Sequence, residues 1–212
     1  MKIQILVDNP SSWIIPYVNE LISKLSLTHE VTLLHKHIEV KKGDILCLLS
    51  CEKIFKKLEL NKHNLVVHES DLPKGKGWSP ITWQILEGKN RIPVTLFEAV
   101  KTVDAGAIYA KEYIELDGTE LLSEIKHQQG IVTQKLILNF INKFPNILGE
   151  NQDAEQSSFY PKRTSKDSLL NINESIVSQF DLLRVCDNER YPAHFVYRGQ
   201  KYQLKIYKDE EF

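Results

Sequence analysis

Long apolar runs are missing from this 212-residue chain. Ile45–Leu49, among the longest, is about five residues, whereas crossing a bilayer takes about 20, so no membrane span is expected. Gln4 and Asp8 interrupt the amino-terminal MKIQILVDNP, which therefore lacks the apolar core of about 7–15 residues that a secretion signal needs. A cytoplasmic protein is expected. Cysteine is scarce: Cys47, Cys51 and Cys186 are odd in number, form no CxxC pair and read as reduced, mostly buried thiols. No group of residues has metal-ligand spacing, and no metal is expected. Net charge is nearly absent, 27 Lys and Arg against 28 Asp and Glu. Without a global field to gather polyanions or anionic lipid, neither a nucleic acid nor a membrane is expected as partner, and only a local basic patch stays open. The first turn, Asp8–Ser12, lacks glycine, which argues against a GxGxxG dinucleotide site there.

What is present is enough for a core: 42% of residues are hydrophobic and 26% charged. The length fits one main domain and at most a small appendage. Lys2–Val7 is a β-prone run, followed by a turn in which Ser11 or Ser12 can cap a helix carrying Trp13, Tyr17, Leu21 and Leu25. Further β-prone runs follow at Glu30–Leu34, Asp44–Leu49 and Asn64–His68, with a short basic helix expected near Lys53–Leu58. Such alternation implies an α/β fold with a largely parallel sheet and flanking helices. Ile81–Leu86 reads as a short helix, Val94–Ala99 and Ile108–Ile114 as strands, and Glu120–Phe144 as the longest helix. Residues 149–158 are polar and aperiodic, a linker that divides a domain at 1–148 from a small carboxyl-terminal unit at 149–212. That unit contains a helix near Glu174–Cys186 and a β-hairpin turning at Arg198-Gly199.

Asn64 to Tyr109 carries the chemistry. His68 ends an apolar strand and precedes a Pro/Gly-rich loop, the place where carboxyl ends of parallel strands present ligand-binding groups. Asp104 follows another strand 36 residues on (104 − 68), and a carboxylate beside an imidazole can orient it. The ordered matches His68, Ser70, Leu72, Pro73, Lys74, Gly77, Pro80, Val94-Thr95-Leu96, Val103-Asp104 and Gly106 do more than spacing can. This stretch resembles the formyltransferases that use N10-formyltetrahydrofolate, whose members act on glycinamide ribonucleotide, methionyl-tRNA or nucleotide-linked amino sugars. Phe159–Thr164 (FYPKRT) and Asp187–Phe195 (DNERYPAHF) resemble tail segments of the amino-sugar branch.

The resemblance implies a Rossmann-like formyltransferase fold, His68 and Asp104 as catalytic pair, and N10-formyltetrahydrofolate as formyl donor held by the loop Leu49, Ser50, Cys51 and Ile54 and by Val103 and Gly106. One position departs from the pattern: the family's catalytic Asn, two residues before the His, is Val66 here. Valine donates no hydrogen bond to a developing oxyanion, and one missing donor costs roughly 10²–10³ in rate in acyl-transfer enzymes. Asn64, a backbone N–H, a bound water or His68 itself are the candidates to replace it. For the acceptor, Asn9, Trp13 and Tyr17 form a mouth or belong to the core. Ser70, Lys74, Lys76 and Gly77 contact substrate phosphates or make a solvated loop, and Trp78 packs or touches ligand. Arg163, Asn188, Arg190 and Tyr191 bind substrate or pair structurally.

The resulting expectation is an enzyme that formylates the amine of a nucleotide-linked amino sugar, such as a UDP-linked 4-amino-4,6-dideoxy sugar of a pseudaminic-acid or surface-glycan route. Three features select that branch: the tail strings, the charge balance, and a tail too short for a separate tRNA-binding barrel. A glycinamide ribonucleotide enzyme, and a pseudoenzyme that binds folate or nucleotide sugar without turnover, are the alternatives.

Overall fold

The computed structural model describes residues 1–209. Strands β1 (Lys2–Leu6), β2 (Glu30–Leu34), β3 (Gly43–Leu48) and β4 (Asn61–His68) pair in parallel, and β6 (Arg91–Glu98) and β7 (Ile108–Glu115) complete a six-stranded sheet. Its order is β2-β1-β3-β4-β6-β7, with β6 antiparallel to both of its neighbours. Period-two alternation sorts the strand residues between two cores. Ile3, Ile5, Ile45, Cys47 and Leu65 point into the larger core, under helices α1 (Ile15–Leu25) and α3 (Leu122–Lys143). Leu6, Leu46 and Leu48 point the other way, where loop residues such as Phe55 cover them. Leu136 of α3 is fully buried; removing such a side chain typically costs about 2–5 kcal/mol.

Helices α1 and α3 cross at Gly130, where a Cβ would lie 2.5 Å from the Tyr17 ring. That notch fixes Tyr17 as a packing residue, and its hydroxyl bonds His127 Nδ1 at 2.9 Å. Three expected elements differ. Ile14, not a serine, precedes α1, with Pro16 in its first turn. Residues 53–57 form no helix, because Phe55 is drawn into the second core and the chain only tightens into a 3-10 turn at Leu58–Leu60. The helix expected over Glu174–Cys186 shrinks to a 3-10 turn and the five-residue α4 (Phe180–Arg184); only Leu183 and Arg184 of α4 are buried.

Among the described residues, no helix is long and apolar enough to cross a membrane. The chain after α3 folds back over the sheet's neighbours. The short strand β8 (Phe159–Tyr160) pairs with β5 (Lys76–Gly77), which precedes helix α2 (Pro80–Leu86). Trp83 Nε1 of α2 donates to the Pro161 carbonyl. The fully buried guanidinium of Arg184 reaches Asp181 at 2.7 Å, Asn90 at 2.6 Å and Glu120 at 3.5 Å, fastening the tail to the core. The hairpin of β9 (Ala193–Tyr197) and β10 (Gln200–Leu204) turns at Arg198-Gly199, both with positive φ, as a two-residue hairpin turn requires.

Candidate active site

His68 is the last residue of β4 and is 8% exposed. Its Nε2 lies 3.0 Å from the Gly75 carbonyl. A carbonyl only accepts, so Nε2 carries a proton and Nδ1 is the basic nitrogen of the neutral ring. The loop that supplies Gly75 is tied down by its backbone N–H, which donates to Ser158 Oγ at 2.9 Å.

Asp104 arrives by an indirect route. Because β6 runs against β4, its carboxyl end lies beside Asn64, whose carbonyl accepts from Ala99 N–H at 2.6 Å. Residues 99–106 then turn back, with Ala99 packed in the second core with Val66, Cys51 and Phe55. Gly106 lets this loop close: a Cβ there would stand 1.7 Å from the Glu98 carbonyl oxygen. Asp104 itself adopts a left-handed φ of 53°, a strain of the kind that clusters at functional sites. Its Oδ2 accepts the Gly77 N–H at 3.0 Å and lies 4.0 Å from His68 Nε2. The expected pair is therefore assembled, with Asp104 held by the loop that also holds His68.

A cavity of about 390 Å³ opens on His68, walled by Trp13, residues 49–52, Trp78, α2 and α3. No residue of the 99–106 loop lines it. Its charged members are Glu52, Glu69 and Lys126, in addition to His68. Glu69 Oε1 accepts from Gln129 Nε2 at 2.6 Å. Burial pushes the Glu69 carboxyl above the usual carboxylate range, and Asp104 pushes the same way, against the pull of His68 and of the Gln129 hydrogen bond. Burial likewise pushes the Cys47 and Cys51 thiols up to about 12, so neither is a thiolate nucleophile at neutral pH. Among the described residues, no cluster could hold a metal ion.

A model of the family described as "Formyl transferase" matches residues 26–140, more than half of the chain and the stretch that contains His68 and Asp104. The chain belongs to the formyl transferase family. Among curated proteins it is similar to the methionyl-tRNA formyltransferase of Streptococcus gordonii, 29% identical over 146 residues, 68% of this chain and 46% of that one. The chain thus spans about half the length of the curated relatives it matches. Among solved structures it resembles a methionyl-tRNA formyltransferase from Clostridium thermocellum (TM-score 0.83, 19% identity), covering 100% of this chain and 94% of that one. It also resembles a sugar N-formyltransferase from a Shewanella species (TM-score 0.70, 16% identity), covering 99% and 98%. At these identities the structural likeness is one of fold.

The family's formyl donor is N10-formyltetrahydrofolate. The residues present suit a flat heterocycle of that kind. The loops 49–55 and 99–104 meet through Cys51, Phe55 and Ala99, and they leave Ile54, Val100 and Val103 with 66%, 42% and 51% exposure. Of the expected donor-binding residues, Leu49, Ser50 and Cys51 line the His68 cavity, with Ser50 left-handed at φ 50°. Ile54 and Val103 do not line it, and Gly106 serves loop closure.

Several sequence-named residues turn out to have other work. The Asn64 side-chain amide donates to the Leu58 carbonyl at 2.9 Å and to Glu98 at 3.4 Å. Asn64 lies four residues from His68 on an extended strand, so it is a tie between β4 and its surroundings and not a replacement for the donor missing at Val66. Trp13, Gly77 and Trp78 line the cavity, whereas Tyr17 fills the Gly130 notch. Asn9 holds the 49–52 loop by donating to Glu52 at 3.0 Å. Ser70 and Lys74 line a separate cavity that shares no residue with the first, and buried Lys76 directs its ammonium to Ser157 Oγ at 3.2 Å. Arg163 binds the Asp167 carbonyl at 3.1 Å and Ser168 Oγ at 3.3 Å, and Asn188 clasps the backbone of Ile206. Neither these two nor Arg190 or Tyr191 lines the His68 cavity. Sequence reasoning missed Glu69, Lys126, Gln129 and Thr133. Two signals for them existed: a charged residue between buried His68 and Ser70, and polar residues three and four apart along one face of a long helix.

Proposed function

We propose that the protein transfers a formyl group from N10-formyltetrahydrofolate to the primary amine of a nucleotide-linked amino sugar, His68 and Asp104 being the working pair. The observation that carries this reading is the cavity beside His68: two indoles, two carboxyl groups and one ammonium make a lining suited to a small amine with a stacking ring. Asp104 keeps the loop and the imidazole in register. His68 moves a proton between the attacking amine and the departing folate nitrogen, a role worth about 10²–10⁴ in rate for a positioned acid or base. With Val66 in place of a side-chain donor, stabilisation of the oxyanion falls to backbone N–H groups, to water or to His68.

The same transfer to methionyl-tRNA is the second reading, favoured by the names of the sequence relatives. Incubation with the formyl donor and either UDP-linked 4-amino-4,6-dideoxy sugars or charged methionyl-tRNA, with mass spectrometry of the acceptor, separates the two. Formyl gain on the sugar nucleotide alone is the expected result. Gain on the tRNA alone would replace the first reading by the second, and gain on neither would remove both.

A further inference from the structure

Formyl transfer to an amine moves two protons off one nitrogen. Aliphatic amines are protonated near neutral pH, so one proton must leave before the nitrogen can attack, and a second leaves afterwards. One imidazole cannot hold both, and His68 already commits Nε2 to the Gly75 carbonyl. Glu69, the next residue, lines the cavity on which His68 opens. It is fixed at two points: its carbonyl accepts from Gln84 Nε2 at 2.6 Å, and its Oε1 accepts from Gln129 Nε2 at 2.6 Å. The Asp104 loop does not line that cavity, so Glu69 and Asp104 reach the His68 region from different surroundings.

We propose that Glu69 is the base that takes the first proton from the acceptor's ammonium group, freeing His68 to carry the second. This rests on the formyl-transfer reading. The acceptor R–NH3⁺ gives one proton to the Glu69 carboxylate and becomes R–NH2. The nitrogen lone pair attacks the formyl carbon, and the new C–N bond forms as the carbonyl pair moves to oxygen. As the oxyanion collapses, the bond between the formyl carbon and N10 breaks, its electron pair stays on N10, and the second amine proton passes through His68 to N10. Glu69 then releases its proton to water, so each turnover yields a formamide, tetrahydrofolate and one proton. Burial suits the carboxyl to this work by raising its proton affinity toward that of the amine. The groups that act on its carboxyl are His68 on β4, Gln129 on α3, its own backbone N–H and Asp104 on the loop after β6, and the other charged residues lining the same cavity are Lys126 on α3, paired with Asp187, and Glu52 on the loop after β3.

The test compares the wild type, E69Q, E69D and Q129A in transfer from N10-formyltetrahydrofolate to two acceptors over a pH range. One acceptor is a UDP-linked 4-amino-4,6-dideoxy sugar. The other is hydroxylamine, which is neutral at pH 7 and needs no base. E69Q keeps the acceptor atom for Gln129; it should lose about a hundredfold in kcat/KM on the amino sugar at pH 7, have its acidic limb moved up to the titration of the amine itself, and stay within threefold of wild type on hydroxylamine. Q129A, which removes a hydrogen bond to the carboxylate, should move the acidic limb to higher pH. E69D should keep that limb at reduced rate, and it decides the matter if E69Q fails to melt cooperatively. Equal rates for E69Q and wild type on the amino sugar, equal losses on both acceptors, or a flat profile in E69D would overturn the role of Glu69 alone. A wild-type chain that formylates neither acceptor would defeat the formyl-transfer reading and this proposal together.

Discussion

In the sequence the carboxyl end of β4 offered the catalytic pair and the tail after Gly149 offered residues for either substrate contact or structural pairing, and the structure treats the two regions differently. At the end of β4, His68 lies 4.0 Å from Asp104, Glu69 lines the cavity on which His68 opens, Ser50 and Asp104 sit at left-handed φ, and desolvation raises the proton affinity of the Glu69 carboxyl. In the tail, Arg163, Asn188 and Arg184 direct their polar groups to carbonyls, hydroxyls and carboxylates of the fold itself. A buried histidine, a carboxyl that burial discharges and a left-handed aspartate thus gather at one strand end, whereas the tail's polar groups turn to the fold itself, even with Arg163 Nε and Arg184 Nη1 buried without a hydrogen-bond partner.

The largest expected effect sharpens that contrast directly. H68A and D104A should each lower turnover by about 10²–10⁴ while melting within a few degrees of wild type, as steady-state rates and calorimetry would record. R184M should do the reverse. It should cost on the order of 3 kcal/mol in denaturant unfolding, the low end for breaking a buried pair because Asp181 reaches water, with the rate per folded molecule unchanged. N64A should lose about 1 kcal/mol through its hydrogen bond to Leu58 and change turnover by less than tenfold. A loss beyond a hundredfold at unchanged stability would return Asn64 to the chemistry.

E69Q separates stability from function in one residue. A carboxyl whose folded pKa lies above its unfolded value binds more protons in the native state, so stability falls as pH rises from the unfolded pKa through the folded one. E69Q should therefore melt above wild type at pH 8 and together with it at pH 4, and a lower melting point at pH 8 would contradict the buried-carboxyl account. The smallest effect belongs to exposed Arg190 and Tyr191: R190A/Y191A should alter the nucleotide-sugar KM by less than twofold. A tenfold rise would put the tail back in the acceptor site.

Much of the fold was legible because its signals are local. Continuous apolar runs gave β1 to β3 within one residue and β4 with its first three residues missed, the periodicity of 120–144 gave α3, and Arg198-Gly199 gave the hairpin turn. The failures come from tertiary contacts. The basic stretch at 53–57 has helical composition, yet burial of Phe55 overrides it. Trp13 and Tyr17 look alike at helical spacing, and only the close approach of α3 at Gly130 decides which of them packs and which lines the cavity. In the site, His68 and Asp104 were visible as ordered motif residues, but the reversal of β6 that makes a loop return along the sheet was not. Gln129 and Lys126 come from a helix about 60 residues away in sequence, and no spacing rule links them to His68.

The central claim is that the end of β4 transfers a formyl group to the amine of a sugar nucleotide. Wild type and H68A, each mixed with N10-formyltetrahydrofolate and a panel of nucleotide-linked amino sugars, would be assayed by mass spectrometry for acceptors carrying one added formyl group. The account predicts a formylated sugar nucleotide that accumulates with wild type and falls at least a hundredfold with H68A. Equal accumulation with both proteins, or none with a wild type that still binds the folate, would contradict it.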